Sequence, residues 1–529
     1  MSDDAGIHDP IQPGHGELRV GHVPDTTARG GVRLSRRAFL RGAVAGGVAI
    51  GVASLGYWGV ESRSVPASAA QAAPKPSTPP GSQGYRSRPD LWSPLISVTQ
   101  PGLNATAGGV MLTPATGPGP IVVDNTGSPV WIHPTAGKRA LNLRVGTYRE
   151  APVLTWWEGT VALGTGQGEY PMIDETYTEV GRVRAANGLQ GDLHEFITTP
   201  QGTALFTVYA PRAVPGATPV ASPGASPATP QLLESIVQEV DIASGKLLFE
   251  WRSADHVSPT ESYAAPPSGQ PFDYFHINSI DVDSDGNLLI SARHTWAVYK
   301  IDRHTGAVIW RLGGKQSDFT MGLGAQFSWQ HDARRQPDGT ISLFDDGSNG
   351  SKPPTENESR GVVLEVDETA RTATLRREYI HTGPLSAGSQ GSMQPLPNGN
   401  VVVGWGDQPY FTEFTADGTT VLDARLPDAS FSYRALRFPW HGRPAELPAV
   451  AVQQGDADTT VYASWNGATE VATWVVLGGD SPDALMALGS RPRMGFETAI
   501  VVLGRPRLVA VRAIDGSGAV LAQSPLVSA

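Results

Sequence analysis

Cysteine is absent from all 529 residues. Disulfides, thiolate metal sites and cysteine nucleophiles are therefore excluded, and the chain cannot be mispaired in an oxidising compartment. Charge is sparse. Asp, Glu, Lys and Arg make up 17%, and no Lys/Arg run follows the N-terminal region. With a net charge of -11, the chain lacks the basic footprint that nucleic acid binding requires. A small anionic substrate remains compatible, because local Arg and His outweigh a global charge. Long helical patterns are missing after residue 90. Abundant instead are glycine (61) and proline (44), the make-up of a turn-rich all-β chain.

A weak repeat organises the rest. Tyr177–Gly181, Val237–Asp241, Val298–Asp302, Val363–Asp367 and Phe411–Thr415 each space apolar residues two or three apart. Polar turns follow, among them Asn187-Gly188, Ser244-Gly245, Thr305-Gly306 and Asp417-Gly418. Ile121–Asp124, with Gly127 in its turn, reads as an earlier copy. These are β-hairpin patterns, and six copies about 50 to 65 residues apart predict a six-bladed β-propeller over 91–455. A second repeat runs out of phase: His194–Gly202, Asn278–Gly286, His331–Gly339 and Gly391–Gly399 each precede an apolar strand. In a radial fold such matched positions converge on the central channel.

The ends read differently. Residues 1–70 hold a polar leader and Ser35-Arg36-Arg37-Ala38-Phe39-Leu40-Arg41, then an apolar stretch from Ala43 to Val60 and the small residues Ala67–Ala70. That order makes an export signal, and the Arg pair resembles a twin-arginine signal. The resemblance implies an exported protein that meets the membrane only in transit; a retained anchor is the alternative. Residues 71–90 form a Pro/Ser-rich linker. Two insertions, 213–230 and 348–358, interrupt the blades. Residues 456–529 read as a small β-sandwich, and Val461–Gly467, Val471–Val476 and Leu508–Gly518 resemble a fibronectin type III module.

Histidine carries the candidate chemistry. His194, His276 and His331 lie just before strands of the second repeat, where they approach one another at one end of the channel. Imidazole can move protons, attack an electrophile or hold an anion; a structural His bonded to a neighbouring turn is the plain alternative. Arg360 offers a rigid fork to sulfate, phosphate or carboxylate, or forms a salt bridge with Glu358 or Asp345. Asp332, Asp345 and Asp346 either set histidine tautomers or serve turns. The three His lie far apart in sequence and make no local ligand motif, so no metal is expected. Tyr433, Arg434, Arg437, Trp440 and His441 either line a mouth for an aromatic anion or close the ring.

Phe275-His-Ile-Asn-Ser-Ile280, Trp329-Gln-His-Asp-Ala333, Ser359-Arg-Gly-Val-Val363, Gln394–Asn400 and Ser432–Trp440 together resemble the bacterial arylsulfotransferase family. The resemblance implies an exported six-bladed propeller that moves a sulfuryl group from an aromatic sulfate donor to a phenolic acceptor. It implies a ping-pong mechanism through a sulfated histidine, without a cofactor. It carries supporting histidines onto His276 and His331 and the sulfate-holding Arg onto Arg360. The family's nucleophile falls in Ser389–Gln394, which holds no His; His381 is the nearest in sequence, and His194 of an earlier blade is the candidate replacement. The alternative reading is a non-catalytic extracellular binding or scaffold propeller.

Overall fold

The computed structural model describes residues 78–100, 102, 105–214, 230–350 and 358–529. The expected leader and export signal, most of the 213–230 insertion and residues 351–357 lie outside the described residues. The described chain is all-β, with a few single 3-10 turns. None of its helices is long and apolar enough to cross a membrane.

Six sheets of four or five strands follow one another. The first is built from Arg139–Tyr148, Ala151–Ala162, Thr165–Ile173 and Glu179–Val183; the second from Phe196–Thr198, Thr203–Ala213, Gln231–Asp241 and Leu247–Arg252; the third from Ile277–Val282, Leu288–Ala292, Ala297–Ile301 and Val308–Gly313. The fourth holds His331–Arg335, Ile341–Asp345, Arg360–Asp367 and Thr372–Tyr379, with Thr320–Met321 added in parallel at its edge. The fifth and sixth mix the two ends of the chain. Ser97–Gln100 pairs with Thr420–Arg425 at the edge of the fifth sheet. Leu436–Phe438 pairs with Gly109–Leu112, the neighbour of Ile121–Val123 and Pro129–Ile132, in the sixth. The first strand of each sheet contacts that of the next, and Leu436–Phe438 contacts Arg139–Tyr148.

The apolar runs follow from burial on both faces. In Leu288–Ala292, residues 288, 290 and 292 pack with Leu205, Val237 and Trp251 of the second sheet. Leu289 points the other way, onto Trp310, Leu343 and Val362. Period-2 alternation therefore places apolar side chains on both sides of one strand. Six such cores occur among the described residues, one between each neighbouring pair of sheets; the one joining sixth and first holds Met111, Trp131, Leu154 and Trp156. Each fully buried Leu or Ile contributes about 1.5–3 kcal/mol.

The C-terminal strands form two further sheets, Ala449–Gln454, Asp458–Ser464 and Glu497–Leu503 in one, and Thr473–Gly479, Met486–Pro492, Leu508–Ile514, Val520–Gln523 and Val527–Ser528 in the other. One core, including Val461, Trp474, Ile500 and Val511, lies between them. Ala449–Gln454 pairs with Asp458–Ser464, so the first strand of this unit begins ahead of residue 456. Asn466 bonds to both backbone groups of Ile132 and seats the unit on the sixth sheet.

Candidate functional site

The first strands of three sheets are bulged at the same end: between Leu141 and Arg144, Ile277 and Ser279, and His331 and Arg334. A bulge re-aims side chains. Left-handed backbone concentrates there too, at His276 (φ 60), Trp329 (φ 57), Asp332 (φ 57) and Gln390 (φ 72). Each costs a non-glycine residue about 1–3 kcal/mol, the kind of strain that collects at functional sites.

These distortions open a cavity of about 540 Å³ onto which His194, His276, His294, His331, Arg293 and Tyr433 all face. The rings form an arc. The centroid of His276 lies 4.7 Å from that of His194, edge-on, and 4.7 Å from that of His294. Tyr433 stands 5.7 Å from His194 and 6.3 Å from His331.

Three of the histidines have a carboxylate on Nδ1, and the three carboxylates differ. His194 Nδ1 lies 2.6 Å from Asp192 Oδ2. Asp192 also accepts from the Gly166 and His194 backbone N–H groups and from Thr207 Oγ1. Burial opposes its charge, but the His194 ring and these N–H donors outweigh burial and hold the carboxyl below its usual range. His276 Nδ1 lies 2.5 Å from Asp273 Oδ2. Here burial wins over His294, His194 and Arg293, and the carboxyl rises to about 6. His331 Nδ1 lies 2.7 Å from Asp346 Oδ2, and burial raises that carboxyl well above its usual value. Because His331 Nε2 accepts from the Gln390 N–H at 3.2 Å, a neutral His331 carries its proton on Nδ1 and donates to Asp346.

Burial, reinforced by nearby cationic and imidazole groups, lowers His276 and His331 well below the ordinary imidazole value. Both are neutral at pH 7. Among the described residues nothing hydrogen-bonds Nε2 of His194 or His276. Each has a nitrogen free for chemistry and the other fixed by a carboxylate, the geometry of an oriented nucleophile or base.

The cation at the site is Arg293, which the sequence reading did not single out. It follows Ala292 in a single 3-10 turn. Its Nη2 donates to Gly388 O at 2.7 Å, Nη1 lies 3.0 Å from His294 Nε2, and the guanidinium sits 4.9 Å from the Trp329 ring centroid. No carboxylate among the described residues pairs with it, and its buried Nε has no partner. A guanidinium that no carboxylate contacts, with Asp273 and Asp346 acting on it only at a distance, keeps donors for an anion. Arg360 is placed elsewhere. It is cross-strand from Asp345, which accepts from its Nε at 3.1 Å; Glu378, Gly324 O and Gln326 O take its other donors. His381 also stays outside the cavity, bonded to Gly383 and packed on Tyr410 and Trp405.

One residue further along three of these segments lies an ionic layer. His194 is followed by Glu195, His331 by Asp332 and Tyr433 by Arg434. Arg144, Arg334 and Arg434 converge on Glu195. Asp332 pairs with Arg334 and Arg434 and accepts from Met393 N. Burial pushes the Glu195 carboxyl up, but the three guanidinium groups outweigh it and hold it at about 2. Arg434 and Arg334 also donate to Asn278 O and Ile280 O, so residues of four sheets meet here with Glu195 and Arg434, which lead into the other two. The aromatic and basic cluster at 433–441 thus divides its work. Tyr433 lines the cavity, Arg434 enters the ionic layer, and Arg437 holds the seam through Glu413, Asn125 and the Thr106 and Gly108 carbonyls.

Asp273, His276 and His294 place ligand-capable atoms within 4.8 Å of one another. They fit a cation poorly. His294 uses one nitrogen on Asp273 O and the other on Arg293, and burial lowers its pKa to about 3 beside that guanidinium. The arrangement is suited to an anion and to proton transfer.

No curated protein matches the chain. Among solved structures, it is similar to a protein of unknown function from Bacteroides caccae, at 14% identity over 63% of this chain and 100% of that one, with a TM-score of 0.39. It is similar to a catalytically inactive virginiamycin B lyase from Staphylococcus aureus, at 11% identity over 70% and 97% of the two chains, TM-score 0.32. A streptogramin B lyase gives 11% identity over 69% and 94%, TM-score 0.33. These likenesses are too distant to carry an argument about chemistry. The model of the arylsulfotransferase (ASST) family matches residues 145–426, a span that includes all four cavity histidines and Arg293, and the chain belongs to that family.

Proposed function

We propose that the protein is an exported arylsulfotransferase whose six sheets close into a propeller around the histidine cavity, followed by a fibronectin type III-like module. His194 is the nucleophile, His276 with Asp273 the proton carrier, and Arg293 the anion clamp. The observation that carries this reading is the pair of adjacent carboxylate-held imidazoles with free Nε2 atoms, one on an aspartate held below its usual range and one on an aspartate raised to about 6. Divergent environments of this kind separate nucleophile from acid. The closure of the ring is supported by the contact of the sixth sheet with the first and by strands from both chain ends sharing two sheets. Export by the twin-arginine route rests on Arg36-Arg37 and the apolar stretch behind them.

In the first half-reaction the His194 Nε2 lone pair attacks sulfur and the S–O bond to the aryl group breaks. The departing phenoxide takes a proton from the His276–Asp273 pair, leaving N-sulfo-His194. Arg293 balances the charge on the sulfuryl oxygens throughout. In the second half, an acceptor phenol gives its proton to the same pair, its oxygen attacks sulfur, and the S–N bond breaks. Nothing is oxidised or reduced. His331 holds the Gln390 backbone at the cavity wall.

Intact mass after brief exposure to 4-nitrophenyl sulfate tests this. One added sulfuryl group, removed by phenol and mapped to His194, is the expected result; no adduct and no acceptor-dependent release of nitrophenol would sink it. A non-catalytic binding propeller is the second reading. It is favoured by Ser389–Gln394, where Gln390 offers a backbone N–H to His331 in place of any imidazole.

Two predictions follow from the charges. Arg293→Ala should raise the KM for an aryl sulfate by about 10- to 100-fold, the worth of one or two charge-assisted bonds. Arg360→Ala should leave KM alone and lower stability by about 1–3 kcal/mol; denaturant melts beside steady-state kinetics separate the two. The second concerns pH. The His276–Asp273 pair retains its extra proton below about 6, so it can protonate a leaving phenoxide at lower pH and loses that ability as pH rises through 6. With a poor leaving phenol, kcat/KM should fall across that range. Asp273→Asn should abolish that limb, which belongs to the pair as a unit.

A further inference from the structure

The polar lining of the cavity comes from several segments: Arg139 of the first sheet, His194 ahead of the second, the other histidines and Arg293 around the third and fourth, and Gln390 and Asp407 around the fifth. Its apolar lining comes from the first sheet and from the segments leading into the second and sixth: Leu141, Val161, Leu163, Leu193 and Phe431. Leu141 and Leu193 are buried, but Val161 is 43% and Leu163 72% exposed. Exposure by itself decides nothing, since Leu503 is 87% exposed on the C-terminal unit. Position and backbone decide it.

Leu163 and Gly164 are the two-residue connection between Ala151–Ala162 and Thr165–Ile173, with Ala162 paired to Thr165. Their φ angles are 53° and 81°. Both are positive, the mark of a type I′ turn, whose first position favours Asn, Asp or Gly. The hairpin at the other end of Ala151–Ala162 uses Arg149 (φ 51) and Glu150 (φ 64) in the same way, but those side chains are polar and suit water. At 163 a leucine accepts left-handed strain and exposes most of its surface, and it does both at the rim of the histidine cavity. Neither feature helps the fold.

We propose that Leu163 and Val161 are specificity-determining residues, an apolar lip that grips the non-reacting substituent of an aryl substrate whose polar end lies among the histidines. This deepens the sulfuryl-transfer reading and rests on it for the identity of that polar end. The ligand class it selects is a phenol or aryl sulfate carrying an unbranched alkyl group long enough to reach past the mouth. Small polar phenols leave the lip in water and gain nothing from it.

The test is calorimetric titration of the full protein with 4-methyl- to 4-butylphenol, with no sulfuryl donor present. Affinity should rise about two- to fourfold per added methylene, the worth of moving a CH₂ partly or wholly out of water. In Leu163→Asn and in Val161→Thr the rise should flatten. Leu163→Asn should also melt no lower than the parent chain, because Asn suits the turn. A flat series in the parent protein, an equal slope in the variants, or no binding of any member would overturn the proposal. A protein that binds the series with the expected slope but never accepts a sulfuryl group sinks the transfer reading and leaves the lip standing. One that transfers with a flat chain-length series sinks the lip alone.

Discussion

Glu195→Ala should cost about 3–5 kcal/mol of stability, read as a drop in the denaturation midpoint, because it leaves buried guanidinium groups without their counter-charge. The Glu195 side chain is fully buried, as is Arg434 almost completely, while Arg334 and Arg144 keep partial exposure. Three cations would then be left with Asp332 in contact and Asp281 farther off. Glu195→Gln keeps the volume and two of the acceptor positions and should fall between the two proteins. The linkage has a definite sign. The carboxyl is held at about 2 in the folded chain against about 4.3 in an unfolded one. Its contribution is therefore complete above the unfolded value and drains away as pH falls towards 2. The parent protein should lose stability between those values, and Glu195→Gln should lose less over the same interval. Equal acid sensitivity of the two would show that the layer is not what holds the sheets together.

His194→Ala is expected to abolish the mass adduct and to lower sulfuryl transfer on the order of 10³-fold or more, as removal of an attacking group does. His276→Ala should behave differently. The adduct still forms from 4-nitrophenyl sulfate, whose phenol leaves without help, but turnover of poor leaving groups collapses. Added imidazole distinguishes a chemical from a structural role, since it can fill the space left by His194→Ala and restore part of the rate only if the ring itself reacts. An adduct that persists in His194→Ala and maps to His276 would exchange the two assignments. Full activity in His194→Ala would remove the mechanism.

Several hairpins were legible in the sequence because their strands alternate apolar residues and end at a glycine turn: Gly245, Gly306 and Gly418 have positive φ between paired strands. The first copy is out of register: Tyr177 (φ 64) stands in the turn that joins Thr165–Ile173 to Glu179–Val183, and Gly188 lies in the connection to the next sheet. His194, His276 and His331 were legible through their shared place before a strand, and the structure brings all three to one cavity with centroids or common neighbours a few ångströms apart. Their carboxylate partners were harder to read. Asp192 and Asp273 lie two and three residues ahead of their histidines, whereas Asp346 reaches His331 from the far end of the neighbouring strand. Arg293 and His294 gave no signal, because they sit after a strand, in a turn that interrupts the repeat, and only the left-handed Trp296 behind them (φ 52) turns the chain back. Arg360 reads as an anion clamp or as a salt-bridge partner of Glu358 or Asp345, and the cross-strand register that sets it opposite Asp345 decides between them only once it is known which strands pair.

The two shared sheets bear on when the protein can exist at all. Thr99 bonds to Asp423 across 324 residues, and Gly109–Leu112 is completed by Leu436–Phe438. On the ribosome the strands made first must wait for those made last, roughly 20 to 60 s at ordinary elongation speeds. During that delay Ser97–Gln100 has no edge to join, Gly109–Leu112 is paired on one side only, with Ile121–Val123, and the histidine cavity lacks Tyr433. A chain threaded through a membrane as it emerged would be divided at the moment its two ends need each other. With no cysteine to oxidise, nothing in its covalent chemistry obliges it to finish folding on the far side of a membrane, which fits the proposed export of an already folded chain.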